Sequence, residues 1–138
     1  MPEPGYVVRP IGRVESSLVD RAAAPNQGDE GAPDAWLALD PAMRPAMHGL
    51  EVGAKVIVVT WLDHGDRDVL QVHPRSDPNL PLQGVFNTRS PDRPNPIGLH
   101  TVQIVEIDGA RIRVQDLEAL DGTPIVDIKP VLGPVEER

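Results

Sequence analysis

Cysteine is absent from the 138 residues, which removes disulfides, thiolate nucleophiles and cysteine-held zinc or iron–sulfur centres together. Aromatics are nearly as scarce, at one Phe, one Tyr and two Trp. The core must therefore be built from Val, Ile and Leu, residues that suit pleated strands. The same scarcity leaves few surfaces on which an unpaired base could stack, and Trp36 and Trp61 read as packing residues. No apolar run reaches the roughly 18 residues of a membrane span, and no charged-then-apolar leader follows Met1, so a cytoplasmic location is expected. A G-x-G-x-x-G turn is also missing, which argues against a dinucleotide-type Rossmann site. His48, His64, His73 and His100 share no ligand spacing, so no metal is expected.

Positive charge is the minority sign. The formal net charge of −8 repels nucleic-acid phosphates at long range. Eleven of the thirteen cations are Arg, however, and the forked guanidinium suits local recognition of phosphate or carboxylate.

Proline is abundant, at 16 residues, against a usual share of about 5%, and it disfavours long helices. Hydrophobic residues at 40% and charged residues at 25% fit a folded chain, and the length fits a single domain over residues 1–138. Residues 6–15 read as a strand that is either an edge or carries a break at Pro10, and 20–35 as a loop. A short helical turn is possible over Ala35 to Leu39, bounded by Pro33 and Pro41. Lys55 to Leu62 is the clearest strand, apolar enough for a sheet covered on both faces. Further strands are expected over residues 68–73, 83–87, 99–107, 110–117 and 124–131, with Asp108-Gly109 as a two-residue hairpin turn. Ile112 and Val114 alternate with Arg111 and Arg113, so one face of that strand packs and the other is wet. About seven short strands fit an all-β barrel or sandwich.

The segment that carries chemistry is GVFNTRSPDRPNPIGL, residues 84–99. Three prolines and a glycine close together stiffen it, so it has little entropy left to lose on gripping a ligand. Arg89 and Arg93 could each meet an anion there. A plain rigid corner, with the arginines paired to Asp92 or other neighbours, fits the same residues equally well.

TRSPDRPNPIGL, and LDGTPIVDIKP at residues 120–130, resemble the two signatures of the TsaA-like or TrmO-like family of tRNA (adenine-N6)-methyltransferases. The opening IGRVES, residues 11–16, resembles the first strand of that family, so the similarity runs from about Val8 to Val131. The resemblance implies a seven-stranded antiparallel barrel without a Rossmann sheet. It also implies a homodimer with S-adenosylmethionine near the subunit interface. Carried over residue by residue, it places cofactor contacts at Pro25, Asn26, Gln27, His64, Gly65, Arg89, Leu99, Gln115, Asp116, Leu117 and Glu118. Under that resemblance Arg89 would hold the methionine carboxylate, Glu118 the ribose hydroxyls, and Leu99 the adenine. Arg93, Asn95, Asp127 and Lys129 are candidates for contact with the methyl acceptor, and Asp127 and Lys129 could instead face a second subunit. His64 could orient substrate or simply complete a turn.

Four departures from the family pattern stand out. Asn26 occupies a place where Arg is typical, Gly53-Ala54 replaces a Ser-His pair, Glu118 replaces Asp, and His100 replaces a small hydroxyl residue. The implied reaction is N6-methylation of a threonylcarbamoylated adenosine beside the anticodon of tRNA. A small-molecule acceptor, or a cofactor-binding module without turnover, are the alternatives.

Overall fold

The computed structural model describes residues 4–19 and 33–134, arranged as eight strands and three short 3-10 turns. The strands are β1 (Gly12–Glu15), β2 (Ala35–Leu39), β3 (Lys55–Trp61), β4 (Gln71–Val72), β5 (Gln83–Gly84), β6 (Ile97–Asp108), β7 (Arg111–Gln115) and β8 (Pro124–Pro130). Six of them form one antiparallel ladder in the order β1-β2-β7-β6-β3-β8. β8 pairs back onto β1, Gly12 with Ile125 and Arg13 with Pro124, and so closes the sheet into a barrel. Closure gives every strand in the ladder a partner on both sides. No helix among the described residues is long and apolar enough to cross a membrane.

The expected count of seven strands is corrected to six in the barrel and two outside it. Two local misreadings account for the difference. AWLAL is strand β2, not a helical turn: its alternation buries Ala35, Leu37 and Leu39 and leaves Trp36 and Ala38 facing out, a period of two that suits a strand between β1 and β7. Of residues 68–73 only Gln71–Val72 is a strand, and it pairs with β5 in a ribbon apart from the barrel. Prolines at 74, 78 and 81 deny this stretch the backbone donors a longer ladder needs.

The β6–β7 hairpin stands as expected, but its turn is displaced by one residue. Asp108 pairs with Arg111, so the central residues are Gly109 and Ala110, with Gly109 at φ 61°. Glycine at the first central position with positive φ is the pattern of a II′ turn. The opening strand is also shorter than expected: it begins after Pro10, and Tyr6 is 96% exposed.

β3 differs from its expected form too. Val56, Val58 and Thr60 are buried, while Ile57, Val59 and Trp61 on the other face are only half-buried. The inward-facing residues of β3, β6 and β7, with Leu37 and Ile125, make up most of the core. Residues Pro41–Met47 form a 3-10 turn whose Met43 and Met47, with Leu50, pack against one end of this core. At the opposite end the inward series change character. Along β3, Val56 and Val58 give way to Thr60; along β6, Ile104 and Val102 give way to His100 and Gly98. Thr60, His100 and Thr123 are the buried polar residues among those described, and all three lie at this mouth of the barrel.

Candidate functional site at the barrel mouth

The prolyl segment after β5 is held by its own side chains. Thr88 Oγ1 accepts from the Ser90 amide at 3.2 Å, and Ser90 Oγ accepts from the Asp92 amide at 3.1 Å, two local turns of the kind short polar side chains favour. Arg93 folds back into the segment and donates to the carbonyls of Val85, Thr88 and Ser90 at 2.8 to 3.0 Å. A guanidinium with three carbonyl partners fixes a loop that has no ladder of its own.

A second segment, residues 62–67, braces the first from outside. Asp92 accepts from the Asp66 amide at 2.9 Å, and Arg67 donates to the Pro94 carbonyl at 2.6 Å and to Asn95 Oδ1 at 3.0 Å. The Arg67 guanidinium also lies 5.3 Å from the centre of the Trp61 ring. Gly65 touches the prolyl loop so closely that a Cβ there would collide with the Pro91 carbonyl. Backbone contact of this kind admits no other residue.

These two segments, residues 72–76 and the end of the barrel line an open cavity of about 400 Å³. That volume lies within the roughly 300–1,000 Å³ typical of small-molecule sites. On its wall the buried ring of His100 bridges two side chains: Nδ1 is 2.6 Å from Glu118 Oε1, and Nε2 is 2.7 Å from Thr60 Oγ1. An ionised Glu118 can only accept, which puts a proton on Nδ1, and a ring protonated there alone accepts from the Thr60 hydroxyl at Nε2. The order hydroxyl, imidazole, carboxylate is that of a nucleophilic triad, but Thr60 is 0% exposed, so its oxygen cannot reach a substrate. The network is a support for Glu118. Gly98 seals it, since a Cβ there would stand 2.6 Å from Thr60 Oγ1 and 2.8 Å from His100 Nε2.

The backbone is strained in the same region. Among the described residues, Arg75, Ser76 and Asp116 are the non-glycine positions with positive φ, at 55°, 59° and 71°. Arg75 and Ser76 line the cavity, and Asp116 sits two residues before Glu118. Left-handed backbone away from glycine concentrates where surrounding structure holds a site in shape.

Of the residues singled out in the sequence, His64, Gly65, Arg89 and Glu118 line this one cavity. Arg89 donates to the Leu99 carbonyl at 3.3 Å, which engages one of its five N–H donors, while Leu99 itself does not line the cavity and its side chain points outward. Gln115 bonds Gln103 across the β6–β7 ladder at 2.7 Å, and the Leu117 side chain is fully buried in the core. Arg93 and Asn95 are engaged inside the loops, and Asp127 and Lys129 pair with each other at 3.2 Å on β8; none of these four lines the cavity. Pro25, Asn26 and Gln27 lie outside the described residues. The sequence marks His100 only as a departure from the family pattern and as a histidine without metal-ligand spacing, and it singles out nothing at Thr60. The signal available was a histidine on the inward face of an otherwise apolar alternation.

Residues 13–136 match the family described as the tRNA-methyltransferase O N-terminal domain. A protein of Methanothermobacter thermautotrophicus named "Probable S-adenosyl-L-methionine-binding protein" is 42% identical over 123 residues, 89% of this chain and 88% of that one. An Archaeoglobus fulgidus protein named "S-adenosyl-L-methionine-binding protein" is 40% identical over 123 residues, 89% of this chain and 87% of that one. Among solved structures, TrmO from Pseudomonas aeruginosa superposes with a TM-score of 0.73 at 29% identity, covering 94% of this chain. The match takes in only 57% of the length of that TrmO chain.

Proposed function

The chain belongs to the tRNA-methyltransferase O N-terminal domain family, and from that membership and the geometry of the barrel mouth we propose that it binds S-adenosylmethionine in the cavity and transfers its methyl group. The observation that carries this reading is the convergence of Arg89, Glu118 and the His64-Gly65 turn on one cavity of ligand size. The donor set suits the ligand. Arg89 offers free guanidinium donors to a carboxylate, and Glu118 offers an acceptor to ribose hydroxyls. The braced prolyl loop supplies backbone polar groups.

The cofactor, when bound, supplies a methyl group on a sulfonium, a reaction that needs in-line alignment and desolvation more than an acid, and in which the acceptor nitrogen gives up its proton as the N–C bond forms. The part left to this chain is to fix the two ends of the ligand, and the doubly buttressed loop is built for that. The acceptor we propose is N6 of a threonylcarbamoylated adenosine beside the anticodon of tRNA. We further propose that the unit works as a homodimer, which would bury the half-exposed Ile57, Val59, Ile97 and Leu99 on the outer face of β3 and β6.

A small-molecule acceptor is the second reading, and one observation favours it. Arg111 and Arg113 on the outer face are paired with Glu15, Asp34 and Glu106, so they are already neutralised against a phosphate backbone. Incubation with methyl-labelled cofactor and either tRNA lacking the N6-methyl group or a metabolite extract separates the two. Label in tRNA supports the first reading; label confined to the small-molecule fraction rejects it.

A further inference from the structure

Glu118 does not choose its own orientation. Its Oε1 is held at 2.6 Å by His100 Nδ1, and the ring is held in turn by Thr60 at 2.7 Å. Oε2 makes no hydrogen bond among the described residues, yet no buried side-chain polar atom there is left unpaired. Oε2 is therefore not sealed off from solvent, and Glu118 is one of the residues that line the cavity. Both ring nitrogens of His100 are engaged, so the imidazole has none left to take a proton from a substrate.

We propose that His100, backed by Thr60, is a positioning residue that turns Glu118 Oε2 into the cavity as the fixed acceptor for the paired hydroxyls of a ribose. This rests on the reading of the cavity as the S-adenosylmethionine site. A short bond to a carboxylate is among the strongest neutral-pH hydrogen bonds a side chain makes. It removes the rotamer freedom that a Glu on the rim would otherwise lose on binding. Gly98 belongs to the same device, since its missing side chain is what lets Thr60 and His100 meet.

The test compares the affinity for S-adenosylmethionine of the unsubstituted chain, His100→Asn and His100→Gln by calorimetry. Asn carries its amide nitrogen close to the place of Nδ1 and can still donate to Glu118, giving up only the Thr60 contact; Gln carries its amide nitrogen closer to the place of Nε2 and loses the bond to Glu118. Positioning predicts that Asn stays within about threefold of the unsubstituted chain while Gln loses about tenfold or more. A role in filling space predicts the reverse order, because Gln is nearer to His in volume. Equal losses, or a larger loss for Asn, overturn the proposal.

If the unsubstituted chain takes up no cofactor, the functional reading falls and this proposal falls with it; normal uptake with the wrong order of variants sinks the positioning role alone. A readout that needs neither variant nor ligand is the nitrogen-15 spectrum of the His100 ring. A proton on Nδ1 agrees with donation to Glu118, and a bare Nδ1 contradicts it.

Discussion

His100 Nδ1 stands 2.6 Å from Glu118 Oε1, although 18 residues separate the two in the chain. Each was a departure from the family pattern when read separately; together they form one hydrogen-bonded unit. The longer carboxylate of Glu and the ring of His meet at the barrel mouth, with Thr60 closing the far side.

Removing the hydroxyl behind the ring strands a buried nitrogen. Thr60→Val keeps the shape but leaves His100 Nε2 without its partner, at 5% residue exposure. A loss of about 1–3 kcal/mol in unfolding free energy is expected, measured by urea denaturation. An unchanged midpoint would mean that the Thr60 contact carries no stability.

Gly98→Ala attacks the same unit from the backbone side. The added methyl would stand 2.6 Å from Thr60 Oγ1, so the network must open. Overpacking of this kind costs roughly 1–3 kcal/mol. Cofactor affinity should fall with it. Full affinity in a folded Gly98→Ala protein would disconnect the network from the ligand.

Arg93 and Arg89 look alike in the sequence and should separate by experiment. Arg93 holds the carbonyls of Val85, Thr88 and Ser90, so Arg93→Ala should lower stability by roughly 2–3 kcal/mol and open the segment to proteolysis. Arg89 makes a single exposed bond to Leu99, so Arg89→Ala should leave the denaturation midpoint within about 0.5 kcal/mol of the unsubstituted chain. The opposite ranking would exchange the roles assigned to the two arginines.

Gly65 tests whether the outer brace matters. A Cβ at this position meets the Pro91 carbonyl, which is backbone and cannot rotate away. Gly65→Ala is expected to push residues 62–67 off the prolyl loop and weaken cofactor binding by about tenfold, with the barrel still folded by circular dichroism. Undiminished binding would show that the loop holds its shape alone.

Much of this molecule was legible in the sequence where alternation was long. The β6–β7 hairpin could be read because Asp108-Gly109 sits between two strand-like runs, the second with Ile112 and Val114 alternating with two arginines, and the register Asp108 to Arg111 moved its turn by one residue. AWLAL was misread because five residues between prolines show too little of a period to separate strand from turn. Short strands in a closed barrel draw their stability from partners on both sides, which a local window does not contain. The candidate site was legible in part. Arg89, Gly65 and Glu118 were reached through the family resemblance, whereas the Thr60–His100–Glu118 unit draws on β3, β6 and the segment after β7, which only the pairing of these strands in the ladder brings together.

The most direct test of the account is a calorimetric titration of the chain with S-adenosylmethionine, before and after Arg89→Ala. The account predicts saturable binding by the unsubstituted protein and a loss of about tenfold or more in a variant of equal stability. Absence of heat at millimolar cofactor, or an affinity that ignores the loss of Arg89, would contradict the assignment of the barrel mouth as the cofactor site.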